Sequence, residues 1–171
     1  LVVASNGDIY FTDPPYVLKD QDTDSLKEIE SNGVYKLSAS GKLTLLIDNL
    51  TRPNGVALSP DEKTLYVANS DPEKAIWMAY DIHEDEVKNS RLFFDATDKV
   101  ATLKGLPDGL KVNKNGIIFA TGPGGVYVFD AKGKHLGMIY TELASANCAL
   151  NEDETMLYMT THKYLTRVAL L

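Results

Sequence analysis

Four times along the chain, a short apolar run is followed by a polar turn and a second run centred on an aromatic residue. The paired runs are 1–4 and 9–13, 56–58 and 65–68, 109–112 and 118–121, and 147–150 and 157–160. Their turns carry Asn6-Gly7, Pro60-Asp61, Asn115-Gly116 and Glu152-Asp153. Runs this short, rich in Val, Ile, Tyr and Phe and bounded by Gly, Asn, Asp and Pro, read as β-strands joined by tight turns. The aromatics Tyr10, Tyr66, Phe119 and Tyr158 stand 56, 53 and 39 residues apart. A third run follows each pair, at 33–37, 76–80, 125–129 and 165–168, and a fourth follows three of them, at 43–47, 91–94 and 136–140. Four strands per repeat of about 40–50 residues is the signature of propeller blades. The expectation is an all-β fold, a β-propeller with about four blades. A β-sandwich is the alternative, since sandwiches also space short strands closely.

Helical periodicity is nearly absent; its best candidate is 24–29 (DSLKEI) inside a charged loop. With 171 residues, 44% of them hydrophobic and 24% charged, the chain is long and apolar enough to bury a core. The formal charge of −7 leaves no basic stripe, which argues against nucleic acid or an anionic membrane surface as the partner. A single cysteine, Cys148, excludes a disulfide framework. No apolar run approaches the ~20 residues of a membrane span. The chain lacks an initiator Met and begins within an apolar strand. The expectation is one β-propeller domain over 1–171 whose N-terminal blades lie outside this chain, with a further segment or second chain supplying them. The compartment stays open.

In a propeller the first strand of each blade faces the central channel, so polar residues at the strand starts converge at one mouth. Asn54, Asp108 and Asn147 occupy that position in RPNGVAL, LPDGLKV and SANCAL. Arg52-Pro53-Asn54-Gly55 and Pro107-Asp108-Gly109 are also common turn formers. Their shared register, with a third Asn in step, favours a site. An amide oxygen and a carboxylate are hard donors that suit Ca²⁺, Mg²⁺ or Mn²⁺, and Zn²⁺ less well. One carboxylate is too little charge for a divalent ion, so a further acid is needed from outside the chain or from Asp13. The rigid Asp13-Pro14-Pro15-Tyr16 exit could aim Asp13 or Tyr16 at the channel, or merely end a strand. Gly122-Pro123-Gly124-Gly125 reads as a blade turn. His83, His135 and His162 lack ligand spacing, Cys148 and Trp77 read as core residues, and no nucleophile elbow is present. Asn49-Leu50-Thr51 matches the glycosylation pattern only.

The segments IYFTDPPY, RPNGVALSPDEKTLYVANSD, GLPDGLKVNKNGIIFATGPGGVYVFD and ANCAL…LYMTT resemble the gluconolactonase/regucalcin (senescence marker protein) family, in its bacterial gluconolactonase-like branch. The resemblance covers essentially the whole chain in family order. It implies a six-bladed propeller with one divalent metal at the channel mouth, Ca²⁺ foremost and Mg²⁺, Mn²⁺ or Zn²⁺ as alternatives, and hydrolysis of a sugar lactone. By that resemblance Asn54 and Asp108 are metal ligands, while the family's metal-binding Glu and its substrate-binding Arg and Asn fall before Leu1. Asp108 is the expected catalytic residue, positioning or deprotonating the attacking water, or serving as a ligand only. Asp13, Tyr16, Arg52, Asn69 and Asn147 are the expected substrate contacts. A non-catalytic propeller that binds a partner or calcium is the competing reading.

Overall fold

A computed structural model describes residues 1–170. Fifteen strands form four antiparallel sheets. The first holds β1 (Val2–Val3), β2 (Ile9–Asp13), β3 (Gly33–Leu37) and β4 (Leu43–Ile47). The second holds β5 (Pro53–Leu58), β6 (Thr64–Asp71), β7 (Lys74–His83) and β8 (Glu86–Asp95). The third holds β9 (Leu110–Val112), β10 (Ile118–Gly122), β11 (Gly125–Phe129) and β12 (His135–Tyr140). The fourth holds β13 (Ser145–Leu150), β14 (Met156–Thr161) and β15 (Tyr164–Ala169). Strands pair in chain order within each sheet, so every sheet is a meander and the chain steps from the outer strand of one to the inner strand of the next. This is a β-propeller arrangement of four blades, as the repeats predict. None of the described residues forms a helix long and apolar enough to cross a membrane.

The core lies between blades. Val56 and Leu58 on β5, with Leu65 and Val67 on β6, pack against Ala4, Tyr10, Val34 and Ile47 of the first blade. The alternate residues Ala57, Tyr66 and Ala68 turn the other way, onto Leu110, Ile118 and Ala120 of the third. Phe119 and Val126 then meet Cys148, Leu157 and Met159 of the fourth. A sheet buried on both faces needs apolar side chains at successive positions, which is why these strands read as continuous hydrophobic runs. The junction of the second and third blades is aromatic. Trp77 on β7 lies 5.2 Å from Tyr127, and Phe94 lies 5.0 Å from Phe129, by ring centroids.

The turns between first and second strands hold a regularity that the sequence does not announce. Gly7, Glu62, Gly116 and Glu154 occupy the same place and all adopt positive φ, between 56° and 88°. Glycine takes this conformation without steric cost; glutamate does not. The two glutamates compensate by reaching the preceding blade. Glu62 accepts from the Ser5 backbone N–H at 2.7 Å and its hydroxyl at 2.8 Å, and Glu154 accepts from the Lys114 N–H at 3.0 Å. The β7–β8 hairpin is longer than the sequence suggests, and its tip grips the first blade. Lys36, 4% exposed, donates to the Glu84 carbonyl at 2.6 Å and to the Asp85 carboxylate. Lys36 and Lys42 together hold the Asp85 carboxyl down at about 2.

The weak helical candidate stays a loop, and one local expectation fails. No helix forms at 24–29; the short 3₁₀ turn Gln21–Thr23 precedes it instead. The Asp24 carboxylate accepts from the backbone N–H groups of Asp20 (3.0 Å) and Leu26 (2.9 Å), a local arrangement that competes with helix formation. The Arg52–Gly55 stretch is not a turn: Pro53-Asn54-Gly55 opens β5, with a bulge between Pro53 and Val56.

Trp77→Ala removes the centre of the aromatic junction. It is expected to cost about 3–5 kcal/mol in a denaturant unfolding curve. A cost below 1 kcal/mol would show that the second and third blades do not depend on that packing.

Candidate functional site

At one end of the blades the inner strands begin side by side. Their spacing is set by two glycines. A Cβ on Gly55 would stand 2.0 Å from the Asp108 carbonyl oxygen, and a Cβ on Gly109 would stand 2.2 Å from Asn147 Oδ1. At Gly55 the contact is with backbone and leaves no room for a side chain; at Gly109 the Asn147 amide and, at 2.9 Å, the Ala146 carbonyl crowd the same space, so each glycine serves close approach between blades. Polar bonds tie the row together. The Thr12 hydroxyl on β2 donates to the Asn54 carbonyl at 2.6 Å. The Gly109 N–H donates to the Ala146 carbonyl at 2.8 Å, and the Asp108 N–H to the Thr121 carbonyl at 3.0 Å. The fully buried Thr121 donates its hydroxyl to the Gly109 carbonyl at 2.9 Å.

Asp108 is half-buried. Desolvation pushes its carboxyl up to about 6, against partial relief from the Gly109 N–H and the Asn54 side chain. The Asn54 amide thus stands beside the carboxylate. The Tyr16 ring hangs over the same place from the 14–32 loop. Burial raises its hydroxyl, which lies beside the Ser70 and Asn54 side chains and feels the Asp108 charge. Asp108 also lies at the side of a cleft of about 580 Å³ that runs between the 97–106 connection, Ser70-containing β6 and the start of β13, with Thr160 and His162 on its rim.

Asn54, Asp108 and Tyr16 are therefore brought together, and the other expected residues are occupied elsewhere. Asp13 is exposed and lines a separate groove beneath the 14–32 loop, with Pro14 and Pro15. Its neighbour Thr12 takes the mouth-facing side of β2. Arg52 bonds to the Asp22 carboxylate and, at 3.0 Å, to Gln21 Oε1, so it anchors the 14–32 loop. Asn69 is fully buried; it accepts from the Arg52 N–H at 2.8 Å and donates to the Lys74 carbonyl at 2.8 Å. Asn147 turns its carbonyl oxygen onto its own Cys148 N–H at 2.9 Å. Thr12 and Thr121 escape sequence reasoning as positioning residues. Their shared place, two residues after the aromatic of the second strand and occupied again by Thr160, was the available signal.

Among the described residues no three His, Cys, Asp or Glu side chains gather to hold a metal ion. The donors at the mouth, the Asn54 carbonyl oxygen and the Asp108 carboxylate, fit a hard divalent cation in kind and supply one charge.

Two expectations follow. Gly55→Ala forces β5 away from the Asp108 backbone and lowers stability by about 1–3 kcal/mol by chemical denaturation; an unchanged midpoint would mean that the two strands separate without cost. The folded Asp108 carboxyl titrates near 6 and the unfolded one near 4. The folded state therefore holds this proton more tightly, and the contribution of Asp108 to stability is fully present below pH ~4 and is lost as pH rises through 6. In chelator at pH 7.5, Asp108→Asn is expected to be more stable than the parent by roughly 1–3 kcal/mol, with the difference gone below pH ~4.

A family model described as the SMP-30/Gluconolactonase/LRE-like region matches residues 1–163. A gluconolactonase of Zymomonas mobilis is 39% identical over 98% of this chain and 49% of its own length. A solved gluconolactonase from Xanthomonas campestris superposes with a TM-score of 0.87 at 33% identity, covering all of this chain and 56% of that one. A calcium-binding protein, regucalcin, from Agrobacterium tumefaciens shares the fold at a TM-score of 0.62 and 23% identity over 77% of this chain and 46% of its own. The chain spans about half the length of the Zymomonas relative. With the family model matched along nearly its whole length, this chain belongs to the SMP-30/gluconolactonase/LRE-like family.

Proposed function

We propose that the protein hydrolyses lactones at the propeller mouth, with Asp108 as the general base and sugar lactones as the substrate class. The observation that carries this reading is the placement of Asp108: a half-buried carboxylate beside Asn54 and Tyr16, opening onto a cleft, in a member of a gluconolactonase family. The Asp108 carboxylate takes a proton from water as the water oxygen bonds to the lactone carbonyl carbon. The ring C–O bond then breaks, and the ring oxygen takes that proton from the Asp108 carboxylic acid, giving the open hydroxy acid. Without a bound cation the Asp108 carboxyl stands near 6, ionised yet still basic at neutral pH; a cation on the same carboxylate lowers that value and weakens the base. The Asn54 N–H holds the carboxylate in place, and the Tyr16 hydroxyl offers a donor to a substrate oxygen above it.

Asn54 and Asp108 would hold a divalent cation, Ca²⁺ foremost. When bound, it would supply polarisation of the lactone carbonyl and electrostatic stabilisation of the oxyanion. A second carboxylate from a further segment or second chain would complete its charge.

In the intact protein, Asp108→Asn is expected to lower kcat/KM for glucono-δ-lactone by about 10²–10⁴-fold, followed as acid release at constant pH. Full turnover in that variant would remove Asp108 from the chemistry. Asn54→Ala should weaken Ca²⁺ binding by calorimetry, and unchanged affinity would take Asn54 out of the ligand set. Cation binding with no turnover of any lactone would identify a calcium-binding module instead.

A further inference from the structure

The cleft beside Asp108 is chemically lopsided. Its polar lining groups are Asp108, Ser70, Ser145, Thr160 and His162. The rest of the lining is an apolar wall of Val100, Leu103 and Leu106, from the 97–106 connection, with Pro72 and Ala146. None of these side chains offers a hydrogen bond. Two of the wall's N–H groups are also committed: Val100 donates to the Thr97 carbonyl at 3.3 Å and Leu103 to the Lys99 carbonyl at 2.9 Å.

The wall is stitched to the blade beneath it. The Gly124 N–H donates to the Lys104 carbonyl at 2.8 Å. A Cβ on Gly124 would stand 2.9 Å from the Leu103 side chain, and one on Gly105 would stand 3.0 Å from the Gly122 carbonyl, with both glycines at positive φ. A surface held this closely needs little ordering when a ligand meets it. At about 580 Å³ the cleft falls in the range that takes drug-sized ligands, more than one hydroxylated six-membered ring requires. Hydroxyls that meet the Val100, Leu103 and Leu106 side chains find no partner there, whereas a hydrocarbon group loses nothing.

We infer that the apolar wall formed by Val100, Leu103 and Leu106 is a subsite for a hydrocarbon substituent on the lactone ring. The substrate class then includes alkyl-substituted δ-lactones, with the ring at Asp108 and the chain along the wall. This rests on the lactonase reading and goes beyond it in naming the second part of the substrate.

The test compares glucono-δ-lactone with δ-lactones bearing methyl, propyl and pentyl groups on the ring carbon next to oxygen, using the intact protein. The expected result is a kcat/KM that rises about fourfold for each methylene buried. Leu103→Ser and, with its shape nearly kept, Val100→Thr should each flatten that rise and shift selectivity from the pentyl lactone toward gluconolactone by about tenfold. Turnover of gluconolactone with no dependence on chain length would overturn the subsite and leave the lactonase reading standing. A rise that both variants leave untouched would overturn the assignment to this wall. Absence of turnover on every lactone would overturn the lactonase reading and the subsite with it.

Discussion

The approach of neighbouring inner strands at Gly55 and Gly109 is the constraint on which the rest of the mouth depends. Backbone and side-chain atoms of the next blade fill the space that a Cβ would take. That closeness brings Asn54 beside Asp108, lets Asp108 be desolvated by its neighbours, and allows the Gly109 N–H to reach Ala146. The hydroxyls of Thr12 and Thr121 hold the same row from behind. Polar residues at strand starts would otherwise be scattered surface groups. Here they form a row because the strands carrying them can almost touch.

The opposite end is held by a different chemistry. Short carboxylate bridges from Glu62 and Glu154 to the preceding turns, and the Lys36–Asp85 contact at the β7–β8 tip, join blades through charge-assisted bonds. Between the two ends the joints are apolar, and the junction of the second and third blades is aromatic. Burial on both faces of each sheet supplies the driving force, and the polar ends set the register between blades. The 14–32 loop is fixed through Arg52, Asp22 and Asn32, whose amide donates to Asp22 and the Thr51 carbonyl at 2.8 Å each. That anchoring is what lets Tyr16 hang over Asn54.

The fold was legible because its signal is periodic. The doubly apolar strands, the polar turns and the blade-length repeat each survive in a one-dimensional reading. The mouth was legible in part. Asn54 and Asp108 stood out through shared register, and the family resemblance placed them in one site. Arg52 and Asn69 looked equally polar and equally well placed, yet their groups hold backbone and loop. Asp13 lies one residue from Thr12, and the alternation of a strand sends the two to opposite faces. Pro53-Asn54-Gly55 carries turn composition but lies in a strand, because Gly55 is there for a neighbour that is more than 50 residues away in the chain.

The sequence by itself determined the strand order, the alternation that sends successive side chains to successive blades, and the polar set at the inner strand starts, since these follow from local pattern and spacing. The tertiary structure alone decided which members of that set meet, why Asp108 holds its proton near 6, why glutamate occupies the left-handed position in two of the turns between first and second strands, and that an apolar wall lies beside the carboxylate. Each of these depends on atoms contributed by a different blade. Contacts between blades are set by three-dimensional closeness, which spacing along the chain does not encode.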